Sequence, residues 1–182
     1  MTTLLCLSGS LRAASSSRAV LEKLCRTIEN DVSILRFDIA TLPHYNADLG
    51  SPEPVEALKA AIAAADGLVI VTPEYNYSVP GVLKNAIDWA SRPAYASVFK
   101  DKPVFVMSTS GGALGGVRAQ SHLKYILNGM LARVFPWQEV VVTHANQKVK
   151  DGNFEDEAVE SFMTTAVRKF IEWVEATRPA RD

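Results

Sequence analysis

The chain has 182 residues, 48% hydrophobic and 21% charged, a composition typical of one globular domain, predicted to cover residues 1–182. With 19 basic and 20 acidic side chains the formal net charge is −1, so we expect no nucleic-acid partner and no membrane partner. No apolar run reaches the ~18–20 residues that span a bilayer, the start MTTLLCLSGS lacks the basic segment of a signal peptide, and Cys6 and Cys25 show no CxxC spacing. These features predict a cytoplasmic protein with reduced thiols.

Short apolar, β-branched runs alternate with helical patterns along the chain. Runs of this kind are typical of parallel strands that are covered on both faces. The predicted strands are 3–8, 32–37, 67–72, 103–109 and 138–143. The predicted helices are 17–28, 54–65, 82–91, 117–134 and 156–175. This alternation predicts an α/β fold, a doubly wound sandwich with a five-stranded parallel sheet, in which ligands bind beyond the carboxyl ends of the strands.

The loop after the first predicted strand, SGSLRAASSSR (8–18), contains five serines and two arginines and no acidic residue. Hydroxyl groups, backbone N–H groups and a guanidinium ahead of a helix suit a phosphate dianion. The natural donors are Ser10, Arg12, Ser15 and Ser17. A solvated turn in which one serine caps the helix is the alternative. The loop has one glycine and matches neither a dinucleotide fingerprint nor a Walker A loop, which favours a mononucleotide.

The third predicted strand ends in the stretch PEYNYSVPG (73–81). Pro73 and Pro80 restrict the backbone, so the loop is partly ordered before a ligand arrives. Backbone amides and aromatic rings in this loop suit a planar heterocycle. Tyrosines that only fill the core or the surface are the alternative interpretation.

The loop after the fourth predicted strand, STSGGALGGVRAQ (108–120), has four glycines within six residues. Glycine lets backbone amides approach a flat ligand, although a flexible connection is the alternative. The three loops are expected at one edge of the sheet. A phosphate at one end and a flat ring at the other describe flavin mononucleotide (FMN).

The sequence resembles the NAD(P)H-dependent FMN reductases, a flavodoxin-like family that includes chromate, quinone and azo-dye reductases. The resemblance is carried by SGSLRAASSS, by VTPEYNYSVPGVLKNAIDWAS (71–91) and by SGGALGGVRAQ, and it covers nearly the whole chain. It implies a phosphate site at Ser10, Arg12, Ser15, Ser16 and Ser17. It implies contacts with the flavin ring from Pro73, Glu74, Tyr75 and Asn76, and at the other edge from Ser110, Gly111 and Gly112. The family often has Asn where this chain has Ser17, and its members are usually homodimers or homotetramers.

The predicted activity is transfer of hydride from NAD(P)H, through bound FMN, to small-molecule electron acceptors such as quinones, azo compounds or chromate. FMN carries this chemistry, so no catalytic side chain is predicted, and Arg118 and Tyr77 are only candidates for the acceptor site. No metal site is expected, because the three histidines are scattered. A reductase that releases reduced FMN to a monooxygenase remains an alternative. So does an electron carrier, although such carriers tend to be strongly acidic. The acceptor and the choice between NADH and NADPH stay open.

Overall fold

A computed structural model describes residues 1–178, whose centre is a parallel β-sheet. Four of its strands are β1 (Thr3–Ser8), β2 (Ser33–Arg36), β3 (Gly67–Pro73) and β4 (Pro103–Thr109). They lie in the order β2-β1-β3-β4, with Leu5 of β1 paired with Leu35 on one side and Leu68 on the other. All four had been predicted from their apolar runs, and each begins and ends within one residue of its predicted bounds.

The fifth position of the sheet is divided between two short strands. β5 (Arg133–Val134) pairs with the start of β4, and β6 (Val140–Val142) pairs with its end. The carboxamide of Gln120 lies between β4 and β6, and its Nε2 donates to the carbonyls of Val106 at 3.3 Å and Val140 at 3.0 Å. The predicted parallel sheet is therefore confirmed, with an interrupted last strand.

Within the described part of the chain, five α-helices cover the two faces of the sheet. They are α1 (Ser16–Ile28), α2 (Glu53–Ala64), α3 (Gly81–Ala90), α4 (Val117–Gly129) and α5 (Glu157–Ala176). Side chains of β1 alternate between the faces: Leu4 and Cys6 pack with α1 and α5, whereas Leu5 and Leu7 pack with α2, α3 and α4. The predicted doubly wound α/β fold is thus confirmed, and its strand order is the flavodoxin-like one.

Shorter elements complete the described part of the chain. They are the 3₁₀ helices Ile39–Thr41, Ala47–Leu49 and Ala145–Lys148, and the antiparallel pair β7 (Val149–Lys150) and β8 (Asn153–Phe154). Within residues 1–178, no helix combines the length and the apolar character needed to cross a membrane. Residues 179–182 of the predicted domain lie outside the described residues.

The prediction of α4 was wrong at its carboxyl end. The apolar residues Met130, Leu131 and Val134 continue the helical stripe in the sequence, but the helix ends at Gly129. Leu131 has a left-handed backbone, with φ of 63°, which turns the chain back toward the sheet. Val134 then pairs with Val104 of β4, because strand hydrogen bonds and burial in the sheet outweigh a further turn of helix.

Candidate cofactor site

The loops that follow β1, β3 and β4 leave the sheet at one edge. Ser8 at the end of β1 is paired with Val71 of β3, and Pro73 at the end of β3 is paired with Thr109 of β4. The first loop turns tightly, because the N–H of Gly9 donates to the carbonyl of Val71 at 2.9 Å. A Cβ atom on Gly9 would lie 2.9 Å from a side-chain oxygen of β3. The sheet register therefore starts the three predicted ligand loops side by side.

The first loop ends at the amino terminus of α1, which has no side-chain cap. Ser15 occupies the N-cap position in an extended conformation, with φ −85° and ψ 128°. Its hydroxyl shares a 2.8 Å hydrogen bond with the hydroxyl of Ser17 instead of accepting one from the helix backbone. The first turn of α1 contains no acidic residue. The helix terminus is therefore well suited to an anion, since its first N–H groups and the helix dipole both favour negative charge.

The other predicted phosphate residues differ in exposure. Ser10 is buried, and its hydroxyl accepts a hydrogen bond from the Arg12 N–H at 3.3 Å. Ser17 is also buried, and its hydroxyl is used within the loop. Arg12 and Ser16 line a cavity of about 470 Å³. The charged residues of that cavity are Arg12, Arg18, Glu22, Arg26 and Asp151. Three guanidinium groups against two carboxylates give the cavity the charge that a phosphate requires.

The PEYNYSVPG stretch forms a two-residue hairpin. Tyr75 and Ser78 exchange two backbone hydrogen bonds of 3.0 Å, and the residues between them, Asn76 and Tyr77, have φ of 48° and 68°. Positive φ at both positions defines a type I′ turn, which asparagine tolerates well and tyrosine tolerates poorly. The Tyr75 N–H is consumed by the hairpin, while its hydroxyl lies 3.4 Å from that of Ser10. The hairpin thus closes on the first loop and leaves both tyrosine rings exposed.

The side chain of Glu74 binds the start of α4. Its Oε2 accepts hydrogen bonds from the N–H groups of Arg118 at 3.1 Å and Ala119 at 3.2 Å, and its Oε1 accepts one from Arg118 Nη1 at 3.2 Å. Glu74 is predicted to contact the flavin ring, and its carboxylate is engaged with the protein instead. The sequence carried no signal for this contact, because the partners are 44 residues apart.

The glycine-rich loop is held by β6 and the segment after it. The Ser110 N–H donates to a β6 carbonyl at 3.0 Å. A Cβ atom on Gly111 would lie 2.7 Å from Asn146 Nδ2, and one on Gly116, at φ of 81°, would lie 3.0 Å from a β4 carbonyl. Packing within the protein accounts for these two glycines. Gly112 differs, because among the described residues its Cβ would contact nothing nearer than Ser110 Oγ at 3.7 Å, so the backbone there is open to a ligand.

Two hydroxyl groups at the end of β4 are buried and, within residues 1–178, have no hydrogen-bond partner. They belong to Ser108 and Thr109. Buried hydroxyl groups are normally paired. Unpaired polar groups at this strand end, an uncapped helix terminus and an open glycine together fit a mononucleotide with a planar ring.

The structure brings only part of the predicted set into contact. Ser10 and Tyr75 join the first loop to the hairpin, and Glu74 joins the hairpin to α4. The Ser110–Gly112 segment is bonded to β6 and to the turn after it. Four polar residues of this region were not predicted as site residues: Ser8, Ser108, Thr109 and Asn146. The first three belong to strand ends that the apolar pattern assigned to the core, and the fourth follows β6, where no motif occurs.

A flavodoxin-like sheet with an uncapped helix after its first strand defines a mononucleotide-binding class of α/β protein. Residues 2–147 match the family model described as NADPH-dependent FMN reductase, and the chain belongs to that family. It is therefore an oxidoreductase that uses FMN and NAD(P)H.

Curated relatives and a solved structure cover nearly the whole chain. A 2-hydroxy-1,4-benzoquinone reductase from a Burkholderia species is 40% identical, with 93% of this chain and 94% of the relative covered. A quinone reductase from Escherichia coli K12 is 38% identical, with 94% and 95% covered. The structure of FerB, a flavoenzyme NAD(P)H:(acceptor) oxidoreductase from Paracoccus denitrificans, superimposes with a TM-score of 0.85 at 35% identity, with 97% and 98% covered.

Proposed function

We propose that this chain transfers electrons from NAD(P)H through bound FMN to quinones, and also to other small acceptors such as azo compounds or chromate. The observation that carries the proposal is the uncapped, acid-free start of α1 at the same sheet edge as an exposed tyrosine hairpin. The names of the quinone-reducing relatives in Burkholderia and Escherichia coli support the choice of acceptor.

The FMN phosphate is held by the first loop. Arg12 makes no ion pair among the described residues, so its guanidinium is free to bind a dianion. Ser10, Ser15, Ser16 and Ser17 supply hydroxyl and N–H groups at the start of α1. Of these, Ser16 has the hydroxyl best placed for direct contact, because it lines the cavity and is not used within the loop.

The flavin ring lies between the hairpin and the glycine-rich loop. Its contacts on one side are Pro73, Glu74, Tyr75 and Asn76, and on the other Ser110, Gly111 and Gly112. Glu74 contributes through its backbone, since its carboxylate binds α4. Among the glycines, Gly112 is the one whose backbone has open space in front of it.

FMN, when bound, accepts hydride from the nicotinamide and passes electrons to the acceptor. The residues of the chain bind and orient this group and keep one face of its ring accessible. Tyr75 and Tyr77 are 43% and 69% exposed, so the hairpin offers aromatic surface to a second flat molecule without enclosing it. Nicotinamide and acceptor then bind in turn at the same face, which gives ping-pong kinetics.

The whole chain, residues 1–182, acts as a single domain and assembles as a homodimer or homotetramer in the cytoplasm. Large exposed aromatic side chains such as Tyr95 and Tyr125 support assembly, since they favour interfaces. Cys6 and Cys25 are buried free thiols, which suits a reducing compartment. The hydrogen bond with Cys25 and burial raise the pKa of Cys6, so that thiol stays protonated and unreactive. Sedimentation equilibrium tests the assembly.

Anaerobic reduction tests the proposed function. The purified protein should release FMN and not FAD on heating, and NADPH or NADH should bleach the bound flavin. A quinone should then restore the colour over many cycles, with parallel lines in double-reciprocal plots. A protein that neither nucleotide bleaches within minutes is not this reductase.

The same experiment separates the two remaining alternatives. Reduced FMN that leaves the protein during gel filtration would indicate a flavin reductase serving a monooxygenase. Flavin that accepts electrons only from a separate reductase would indicate an electron carrier.

A further inference from the structure

The start of α4 is capped by a residue from another loop. The N-cap position is Gly116, which has a left-handed backbone and no side chain to offer. Glu74 fills that role from the hairpin, because one of its carboxylate oxygens accepts the N–H groups of both Arg118 and Ala119. The side chain of Glu74 is only 13% exposed, so solvent screens this contact weakly. The hairpin and the helix after the glycine-rich loop are thus joined at one carboxylate.

This corner of the site concentrates positive charge. The amino terminus of a helix carries roughly half a positive charge, and the Arg118 guanidinium adds a full one. The Cζ atom of that guanidinium lies over the face of the Tyr77 ring, 4.7 Å from its centre. Its Nη1 atom lies 3.2 Å from Glu74 Oε1. Within residues 1–178, Glu74 is the carboxylate that forms an ion pair with Arg118. Its negative charge therefore offsets both sources of positive charge between the two ring-binding loops.

We infer that Glu74 is a positioning residue that sets the reduction potential of the flavin. The inference rests on the proposed function, because it requires the flavin ring between the hairpin and the glycine-rich loop. Reduction adds electrons to the ring, so uncompensated positive charge beside it stabilises the reduced form. By neutralising Arg118 and the α4 terminus, Glu74 keeps the reduced form reactive enough to pass its electrons to an acceptor.

A pair of substitutions with opposite charge effects tests this role. In Glu74→Gln the carboxylate charge is lost and the shape is kept, so FMN should become easier to reduce. In Arg118→Gln the positive charge is lost, so FMN should become harder to reduce. We expect the ratio of the dissociation constants of oxidised and reduced FMN to change about tenfold in each variant, which is roughly 30 mV for a two-electron couple. The potentials are measured by anaerobic equilibration with a reference dye.

A matched control distinguishes the effect of a charge near the flavin ring from the effect of a charge elsewhere near α4. Glu139 pairs with Lys124 of the same helix at 3.0 Å, and Glu139→Gln should leave the potential unchanged. Glu74→Asp keeps the charge and should return the potential most of the way to that of the unmodified protein. Hydrogen exchange of the protein without flavin adds a readout that needs no activity: the amides of Arg118 and Ala119 should exchange faster in Glu74→Gln than in Glu139→Gln.

The inference requires the reduction potentials of Glu74→Gln and Arg118→Gln to shift in opposite directions. Loosening of the loops alone would move both potentials the same way, toward that of free FMN, and this result overturns it. Unchanged potentials in both variants also overturn it while leaving the proposed function intact. A protein that binds no FMN at all overturns both.

Discussion

Helices α1 and α5 pack against the same face of the sheet, yet their amino termini are completed differently. At α5, Asp156 accepts a hydrogen bond from the Val159 N–H at 3.0 Å, and Glu157 and Glu160 occupy the first turn. At α1, Ser15 makes no such bond and the first turn has no acidic residue. A side chain of the protein therefore caps the N–H groups of α5, whereas the first N–H groups of α1 stay available to a ligand.

This difference separates a structural helix terminus from a functional one. A local carboxylate cap stabilises a helix but fills the position that an anion would take. The proposed phosphate site therefore requires that α1 forgo the cap that α5 has. Substitutions at or near each terminus therefore test whether the two differ in function.

The largest effect is expected when α1 is given the cap of α5. In Ser15→Asp the new carboxylate would occupy the first N–H groups and repel the FMN phosphate. Loss of several charge-assisted hydrogen bonds, at roughly 1.5–3 kcal/mol each, should weaken FMN binding at least ~100-fold. The protein without flavin should gain about 0.5–1 kcal/mol of unfolding free energy. Fluorescence titration with FMN and thermal unfolding measure the two effects.

The control for that variant is Ser161→Asp, which adds the same charge at an exposed position in α5. It should bind FMN normally. Tight FMN binding by Ser15→Asp would mean that the phosphate does not sit at α1.

The next effect concerns Arg12 of the first loop. Arg12→Ala should remove a charge-assisted hydrogen bond to the phosphate, worth roughly 1.5–3 kcal/mol, and lower FMN affinity about ten- to a hundredfold. Riboflavin has no phosphate and should bind the variant and the original protein equally. Arg168, which pairs with Asp31 on the surface, provides the matched Arg168→Ala control. Normal FMN affinity in Arg12→Ala would show that this side chain only faces solvent.

A smaller effect is expected at α5. Asp156→Ala should lower the unfolding free energy by about 0.5–2 kcal/mol through loss of the cap, without changing FMN affinity. Asp156→Asn should restore most of that loss, because an asparagine oxygen caps nearly as well. Urea unfolding of the two variants measures the difference. A change in FMN affinity in Asp156→Ala would argue that the two termini are not independent.

The smallest effect is the pH dependence of that cap. The hydrogen bond from Lys148 and the backbone N–H of Val159 lower the pKa of Asp156 below its ordinary value. A lowered carboxyl pKa stabilises the folded state above the ordinary value, roughly pH 4, and that stability is lost as the pH falls through the folded value. The charge part of the difference between the unmodified protein and Asp156→Asn, at most about 1 kcal/mol for a surface pair, should be constant from pH 7 to pH 5. It should begin to fall below about pH 4 and disappear once the pH is below the folded pKa of Asp156. Unfolding at a series of pH values measures it.

The sequence was sufficient to predict the strands and helices wherever the local apolar pattern agrees with the burial in the fold. The run Val104 to Met107, for example, is apolar and buried throughout, as a strand covered on both faces must be. The sequence was insufficient where a contact between distant residues determines the secondary structure. Val134 continues the apolar stripe of α4 but belongs to the sheet, because its partner Val104 lies 30 positions earlier in the chain.

The three loops of the site could be predicted from the sequence, but the hydrogen bonds that join them could not. Serines before α1 and glycines before α4 are local patterns, and the strand order places them at one edge. The contact of Glu74 with α4 depends on how two loops fold toward each other, and no spacing in the sequence encodes that. The type I′ turn was missed for a different reason: its second central residue is Tyr77, where glycine is the usual signal.

The interruption of the last strand also affects the tendency of the protein to aggregate at high concentration. A long, continuous outer strand exposes a row of unpaired backbone groups on which another chain can pair and aggregate. Here one border of the sheet is β2, with four residues, and the other is split into pieces of two and three residues. Pro136 lies in the gap and has no N–H to donate. Neither border offers a template of useful length, so the sheet resists the addition of foreign strands at high concentration.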